Sequence, residues 1–364
     1  MKLLALACLI SVSAAAQDSL LVLSKRDHTL AVVDPVTYKV LETFPSGDDP
    51  HEVIASTDGT RAYISNYGFG SLHTITPIDL AHHAALPVID LGPLSGPHGL
   101  AFVAGKLWFT AEGAKVVGSY DPATARVDFV LGTGQNRTHM IYVPPDTQHI
   151  VATNVSSGTV SIIDRELVHM GPPPGMNPPP GGSNPGGNPG GGPPPSAGSG
   201  IAPPPPPRQS PPPRFDWNQT VIKVGTGSEG FDLSPDGKEI WVANARDATI
   251  SIIDRAAKRV VETLAANVPS ANRLKFTPDG AHVLVSLLGA PDLVVLDAHT
   301  RTVVKRLPIG HGASGILIEP SGIRAFAACG PDNYVAVVDL KTLTVTAHIL
   351  AGPEPDGLAW AATR

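Results

Sequence analysis

Cysteine is nearly absent. The 364 residues contain only Cys8 and Cys329, and Cys8 falls inside a stretch that reads as a removable leader. The mature chain is then left with one thiol, which excludes an intramolecular disulfide framework. Cys329 reads as a small buried residue. Charge is also scarce: charged residues make up 16% of the chain and the formal net charge is −6. No Lys/Arg cluster occurs, which argues against a nucleic-acid surface and against polybasic attraction to a membrane. After the leader, no apolar run approaches the ~20 residues that a spanning helix needs. The sequence has no HExxH, no GxSxG and no phosphate-binding glycine loop, so no linear motif names a chemistry.

What is present is repetition. Ser234-Pro235-Asp236-Gly237 is a tight turn in which proline presets φ and glycine takes the conformation that closes it. Short strands surround it: Phe231 to Leu233, Lys238 to Ala243, Thr249 to Ile253 and Arg259 to Leu264. The turn recurs at Ser56-Thr57-Asp58-Gly59, Ala104-Gly105, Pro144-Pro145-Asp146-Thr147, Thr277-Pro278-Asp279-Gly280 and Pro320-Ser321-Gly322. Its spacing is about 41–47 residues apart from one gap roughly twice as long, and four short strands per period predict a propeller blade. A strand closed by asparagine recurs at Tyr63 to Asn66, Val151 to Asn154 and Trp241 to Asn244, where asparagine bonding to its own loop is a structural feature. Thr159 to Asp164 nearly repeats Thr249 to Asp254.

The ends fix the count. Leu20 to Leu41 matches the second to fourth strands of a blade, and Gly357 to Ala361 matches a first strand alone. First strands begin near Glu52, Gly99, His139, Gly230, Arg273, Gly315 and Gly357. The reading is an all-β, seven-bladed propeller of four-stranded blades, closed by pairing of the N- and C-terminal strands so that no free sheet edge remains. The unit resembles the YVTN-type repeat of bacterial periplasmic and surface-layer proteins, most fully at 234–254 with its Ser-Pro-Asp-Gly, Trp-Val-Ala-Asn and Ile-Ser-Ile-Ile-Asp. The blade containing Lys106 to Val117 matches least, with Ala111 where asparagine falls elsewhere. The resemblance covers nearly all of 19–361 and implies the fold rather than one activity, since lactonase-like enzymes and haem-associated proteins are among similar propellers.

Residues 1–16 read as a secretory signal peptide: Lys2, an apolar run from Leu3 to Val12, then the small residues Ala14-Ala15-Ala16. The expected protein is therefore exported, to the periplasm, the cell surface or beyond, as a monomer with no membrane span and no bound nucleic acid. Residues 171–214 hold 19 of the 38 prolines and read as a disordered Pro/Gly-rich insert. It separates the propeller's first part, 17–170, from its second, 215–364, within one domain. As an alternative to a tolerated expansion, Pro203 to Pro207 with Arg208 would suit a proline-reading partner.

The repeat register also locates a candidate site. The loops entering each first strand converge on the channel and bring one residue per blade to its mouth: His51, His98, Thr138, Glu229, Asn272, Ser314 and Asp356. The next position adds Glu52, His139 and Arg273 among glycines that leave room for a backbone or a ligand. His51, Glu52, His98, His139, Glu229, Arg273 and Asp356 are the expected ligand-binding set. His311 lies in another of these loops, and Tyr67 and Phe69 in a following loop would suit either an exposed partner or sugar-like surface or a cover over the adjacent blade. One reading is a binding protein for a small polar ligand or a cell-envelope partner. A second is a lactonase- or cycloisomerase-like enzyme, with His98 or His139 moving a proton, Glu229 assisting and Arg273 neutralising a carboxylate or oxyanion. A third is a metal at His51 and His98, completed by Glu52 or His139. No cofactor is expected.

Overall fold

The computed structural model describes residues 18–168 and 213–362. The expected signal peptide and most of the expected insert lie outside the described residues. The described chain is almost wholly β, arranged as seven blades of antiparallel strands. Among the described residues, no helix is long and apolar enough to cross a membrane.

The blades follow the repeat. Blade 4 is the fullest copy, with strands Ser228–Leu233, Glu239–Asn244, Thr249–Asp254 and Arg259–Leu264 hydrogen-bonded in that order. The turn between its first two strands closes through Gly237 N–H to the Ser234 carbonyl (2.7 Å), with Gly237 at φ +70°. Gly59, Gly280 and Gly322 close the same turn elsewhere, and Thr147 does so at φ +55° in blade 3. The second and third strands read as unbroken apolar runs because both faces are covered by neighbouring blades. The outermost strand alternates instead, as in Arg126–Gly132, because one of its faces meets water. Between blades 4 and 5, Trp241 packs edge-on against Phe276 with ring centroids 5.4 Å apart.

The seventh blade is assembled from both ends of the chain. Pro355–Ala361 pairs antiparallel with Ser19–Ser24, which continues to Thr29–Val33 and Val40–Pro45. Leu20 faces Trp360 in that register and Val22 faces Leu358. The ring is thereby closed as the termini predicted. Blade 1 departs from the pattern: its outermost strand is broken into Ala84–Ala85 and Ile89–Asp90.

The described residues divide into two units, 18–164 with 219–362, and 165–168 with 213–218. Blade 3 has strands Thr138–Tyr142, His149–Asn154, Thr159–Val168 and Arg214–Lys223. The last begins at Arg214, which the sequence reading places in the insert. Within the smaller unit, Asn218 Nδ2 donates to Glu166 Oε2 (3.1 Å) and Arg165 lies over the Phe215 ring.

The asparagines at strand ends are structural, but they bond to neighbouring segments rather than to the loops they begin. Asn66 donates to the Ser46 carbonyl (2.7 Å), and Asn154 and Asn244 each donate to the Thr and Ser of the following strand. Cys329 is buried at the equivalent position in blade 6, and burial, followed by the nearby Asp332 charge, pushes its thiol up to about 12.

Candidate functional site

The residue preceding that strand end is a hydroxyl in several blades, and it fixes the site. Thr110 accepts from Gly99 N–H in its own blade and donates to the His139 carbonyl of the next (2.5 Å). Thr153 bridges Met140 N–H and the Glu229 carbonyl in the same way, and Ser286 bridges Arg273 N–H and the Ser314 carbonyl. The first strands are thus tied to one another around the axis by buried hydroxyls. Glycine completes the approach. A Cβ on Gly99 would lie 2.4 Å from the His139 carbonyl oxygen, and one on Gly315 would lie 2.2 Å from that of Asp356. These glycines serve backbone packing rather than space for a ligand.

His51, His98, His139, Glu229, Arg273 and Asp356 line one cavity of about 660 Å³ at the channel mouth. Asn272 and Ser314 join them. Thr138 does not. It is buried against Asn154 and Thr133, and its neighbour His139 takes the wall position. Glu52, of blade 1, is not a lining residue; it accepts a hydrogen bond from Arg273 of blade 5. His311 sits outside on an exposed loop beside Asp332.

Wall and support residues that escaped the sequence reading include Lys25, Arg26, Glu112 and Arg137. Of the two alternatives for Tyr67, exposure or cover over the adjacent blade, the structure has the second: it is buried in the wall and its hydroxyl donates to Glu112 Oε2 of blade 2 (2.5 Å). Phe69 two residues on is 92% exposed. A sequence signal for Glu112 existed: it follows Ala111, where blade 2 breaks the asparagine pattern.

Glu112 anchors the first of two charge networks. His139 Nδ1 lies 2.5 Å from Glu112 Oε1, and its Nε2 lies 2.9 Å from Glu229 Oε2, out of line for a good hydrogen bond. Arg137 Nε donates to Glu112 Oε2 (3.2 Å). Burial opposes charge on His139, but Glu229 and Glu112 outweigh it and raise the imidazole above its ordinary value. Burial likewise opposes the Glu229 carboxylate, and His139, Arg273 and Arg137 outweigh it, holding it at about 2. In the second network Asp356 meets His51 Nδ1 (3.0 Å) and Lys25 (3.5 Å). Against the opposing effect of burial, His51, Lys25 and Arg273 hold Asp356 at about 2.

His98 lies between the networks. It is 3% exposed, its Nδ1 has no hydrogen-bond partner, and its ring centroid is 3.9 Å from that of His139 and 5.0 Å from that of His51. Burial, then repulsion from His139, His51, Arg273 and Arg137, keeps it neutral, well below its ordinary value. Donor atoms of His98, Glu112 and His139 lie within 4.8 Å of one another. His51, the other histidine of the metal reading, is not among these donors. His51 is engaged by Asp356 and Lys25, and Glu52 by Arg273.

Comparison with known proteins supports the architecture. A family model, the cytochrome D1 heme domain, matches residues 213–329. That span carries Glu229 and Arg273 but none of the three cavity histidines. An uncharacterized WD repeat-containing protein of Synechocystis is 37% identical over 60 residues, 16% of this chain and 17% of the relative, so the match spans about a sixth of that protein. A functionally unknown protein from Desulfotomaculum acetoxidans superposes with a TM-score of 0.69 at 12% identity, covering 95% of this chain and 99% of its own. A Bacteroides uniformis protein named for a suspected 6-phosphogluconolactonase activity gives 0.66 at 13% identity, covering 94% and 99%. At such identities the likeness is one of fold.

Proposed function

We propose that this chain is an exported YVTN-type propeller of the periplasm or cell surface that binds a small polar ligand at the mouth of its central channel. The observation that carries this reading is His98. A neutral imidazole with an unpartnered nitrogen, buried in the wall of a cavity of about 660 Å³, is a costly arrangement unless something bonds it. The volume falls in the range of small-molecule sites. The wall's cations and carboxylates are largely paired with each other, which favours an organic ligand carrying hydroxyl and carbonyl groups over a strongly charged one.

A second reading has a specific observation behind it. His98 and His139 are neighbours whose environments push their protonation apart, the arrangement that acid/base pairs require. In that reading His98 accepts a proton, His139 with Glu229 donates one and Arg273 neutralises developing negative charge, on a lactone or a related cyclic ester. The name of the Bacteroides neighbour is compatible with such chemistry.

A thermal-shift screen of lactones, sugars, sugar acids and haem tests the reading; haem is included because of the family-model match. A ligand at ~100 times its Kd stabilises by about 2.7 kcal/mol. Binding is expected from a hydroxylated carbonyl compound and is expected to vanish in His98→Ala. Turnover lost in His98→Ala would select the enzyme. No shift from any small molecule would overturn the ligand reading and favour an envelope protein as partner.

A further inference from the structure

Two histidines of the cavity wall and a buried carboxylate beside them form a donor set that no small organic ligand requires. His98, Glu112 and His139 are all buried, and one donor atom from each lies within 4.8 Å of the other two. We propose that these three residues bind a divalent transition-metal ion of the zinc class, with its remaining coordination position open to the channel mouth.

Two imidazoles and one carboxylate are a donor set suited to zinc, and three protein ligands leave a position for water or a substrate atom. The surrounding bonds orient each donor toward the shared point. Glu112 Oε2 accepts from the Tyr67 hydroxyl (2.5 Å) and from Arg137 Nε (3.2 Å), which turns Oε1 toward His139. Glu229 stands 2.9 Å behind His139 Nε2, leaving Nδ1 on the Glu112 side. A ligating carboxylate itself held by donors is an outer-shell arrangement that tunes metal sites, and Glu229 stands close enough to His139 Nε2 to back that ring after a small turn. His98 supplies the independent sign: a buried ring with an unpartnered nitrogen, held in place from the backbone by the Thr110 bridge at Gly99.

Accommodation requires a small movement. His139 Nδ1 and Glu112 Oε1 stand 2.5 Å apart, and two donors on one tetrahedral ion with bonds of ~2.1 Å stand roughly 3.3 Å apart. A turn of the Glu112 side chain supplies this while keeping its Tyr67 bond. With Arg137 and a dication facing Glu112 and Glu229, one positive charge remains uncompensated, and a carbonyl or anionic group of the cavity's ligand would meet it at the open position.

Isothermal titration calorimetry with Zn2+, on tag-free full-length protein dialysed against EDTA, tests the site. One saturable site is expected. Its affinity should fall at least a hundredfold in His98→Ala and in Glu112→Gln, about tenfold in Tyr67→Phe, and not at all in His311→Ala, which removes an exposed surface histidine. Melting curves by circular dichroism establish that each variant is folded. Co2+ substitution gives a second readout, visible absorption of a tetrahedral ion that His98→Ala abolishes. Absence of saturable Zn2+ binding, or binding unchanged in both His98→Ala and Glu112→Gln, overturns the proposal. The organic-ligand screen, run on the EDTA-treated protein, separates this outcome from failure of the ligand reading.

Discussion

His98 and His139 stack with ring centroids 3.9 Å apart, yet they occupy opposite electrostatic environments. Glu112 and Glu229 flank the His139 ring, whereas Glu112, within 4.8 Å of His98, is already engaged by His139, Tyr67 and Arg137, and His98 meets mainly burial and the positive charge of its neighbours. Two like rings at this distance cannot both hold a proton, and the carboxylates decide which one does. The asymmetry comes from the blades. Glu112 sits in the loop after blade 2's second strand, beside the His139 that begins blade 3.

The pair of Arg273 and Glu52 should be structural first. Arg273 is buried, and Glu52 is its carboxylate partner from a distant blade. Removing one member of a buried pair strands the other charge, at a cost of about 3–5 kcal/mol. Residual exposure of Glu52, and Glu229 and Asp356 nearby, place Glu52→Gln at the lower end, about 3 kcal/mol. A urea midpoint equal to that of the unmodified protein would mean the pair contributes nothing.

Acid sensitivity should report Asp356. Its folded value of about 2 lies below the ordinary 3.8. The folded state therefore binds this proton less readily than the unfolded chain. The stabilisation is present in full above about pH 5 and is lost as pH falls through 4 toward 2, amounting to about 2 kcal/mol. Denaturant midpoints measured from pH 6 to pH 2.5 should decline less steeply in Asp356→Asn than in the unmodified chain. Parallel curves would show that Asp356 is not the group responsible.

The architecture was legible because a propeller writes itself into sequence four strands at a time. The turn glycines, the apolar second and third strands and the divided last blade each leave a local mark, and the register brought His51, His98, Glu229 and Asp356 to the mouth. The site's chemistry was less legible because its partners come from other loops. Glu112 reaches His139 across a blade boundary, and Tyr67 reaches Glu112 over 45 residues of chain. Neither spacing repeats, so periodicity could not find them. His139, rather than Thr138, takes the wall position where the strand bulges between Thr138 and Ile141, and simple alternation fails there.

Phe69 should trade stability for function. It is 92% exposed and held at φ +51° between Gly68 and Gly70, both also at positive φ. Phenylalanine there carries strain of about 1–3 kcal/mol that glycine would not. Glycine also makes the unfolded chain more flexible, offsetting about 0.4–1 kcal/mol of that relief. Phe69→Gly should therefore raise stability by about 0.5–1 kcal/mol in urea unfolding. If the ring helps to cover the cavity from its place 6.4 Å from Tyr67, ligand affinity should fall in the same variant. A loss of stability would show that the ring makes packing contacts that outweigh its strain.

Ring closure makes the sharpest demand on the C-terminal strand. Pro355–Ala361 pairs with Ser19–Ser24, and Ala359 and Ala361 share a core with Leu21, Leu23, Val53 and Ile64. A chain ending at Glu354 would lose that packing and Asp356 together, and would leave Ser19–Ser24 as an unpaired apolar edge. Such an edge is a template for association with other chains. The loss should exceed the ~0.5–3 kcal/mol of a typical point substitution, and size-exclusion chromatography should find aggregates or higher oligomers rather than monomer. Supplying residues 355–364 as a separate peptide should restore part of the monomer, because the edge it fills is otherwise intact. A truncated chain that stays monomeric with an unchanged melting temperature would mean that the other six blades hold the ring without the terminal pairing.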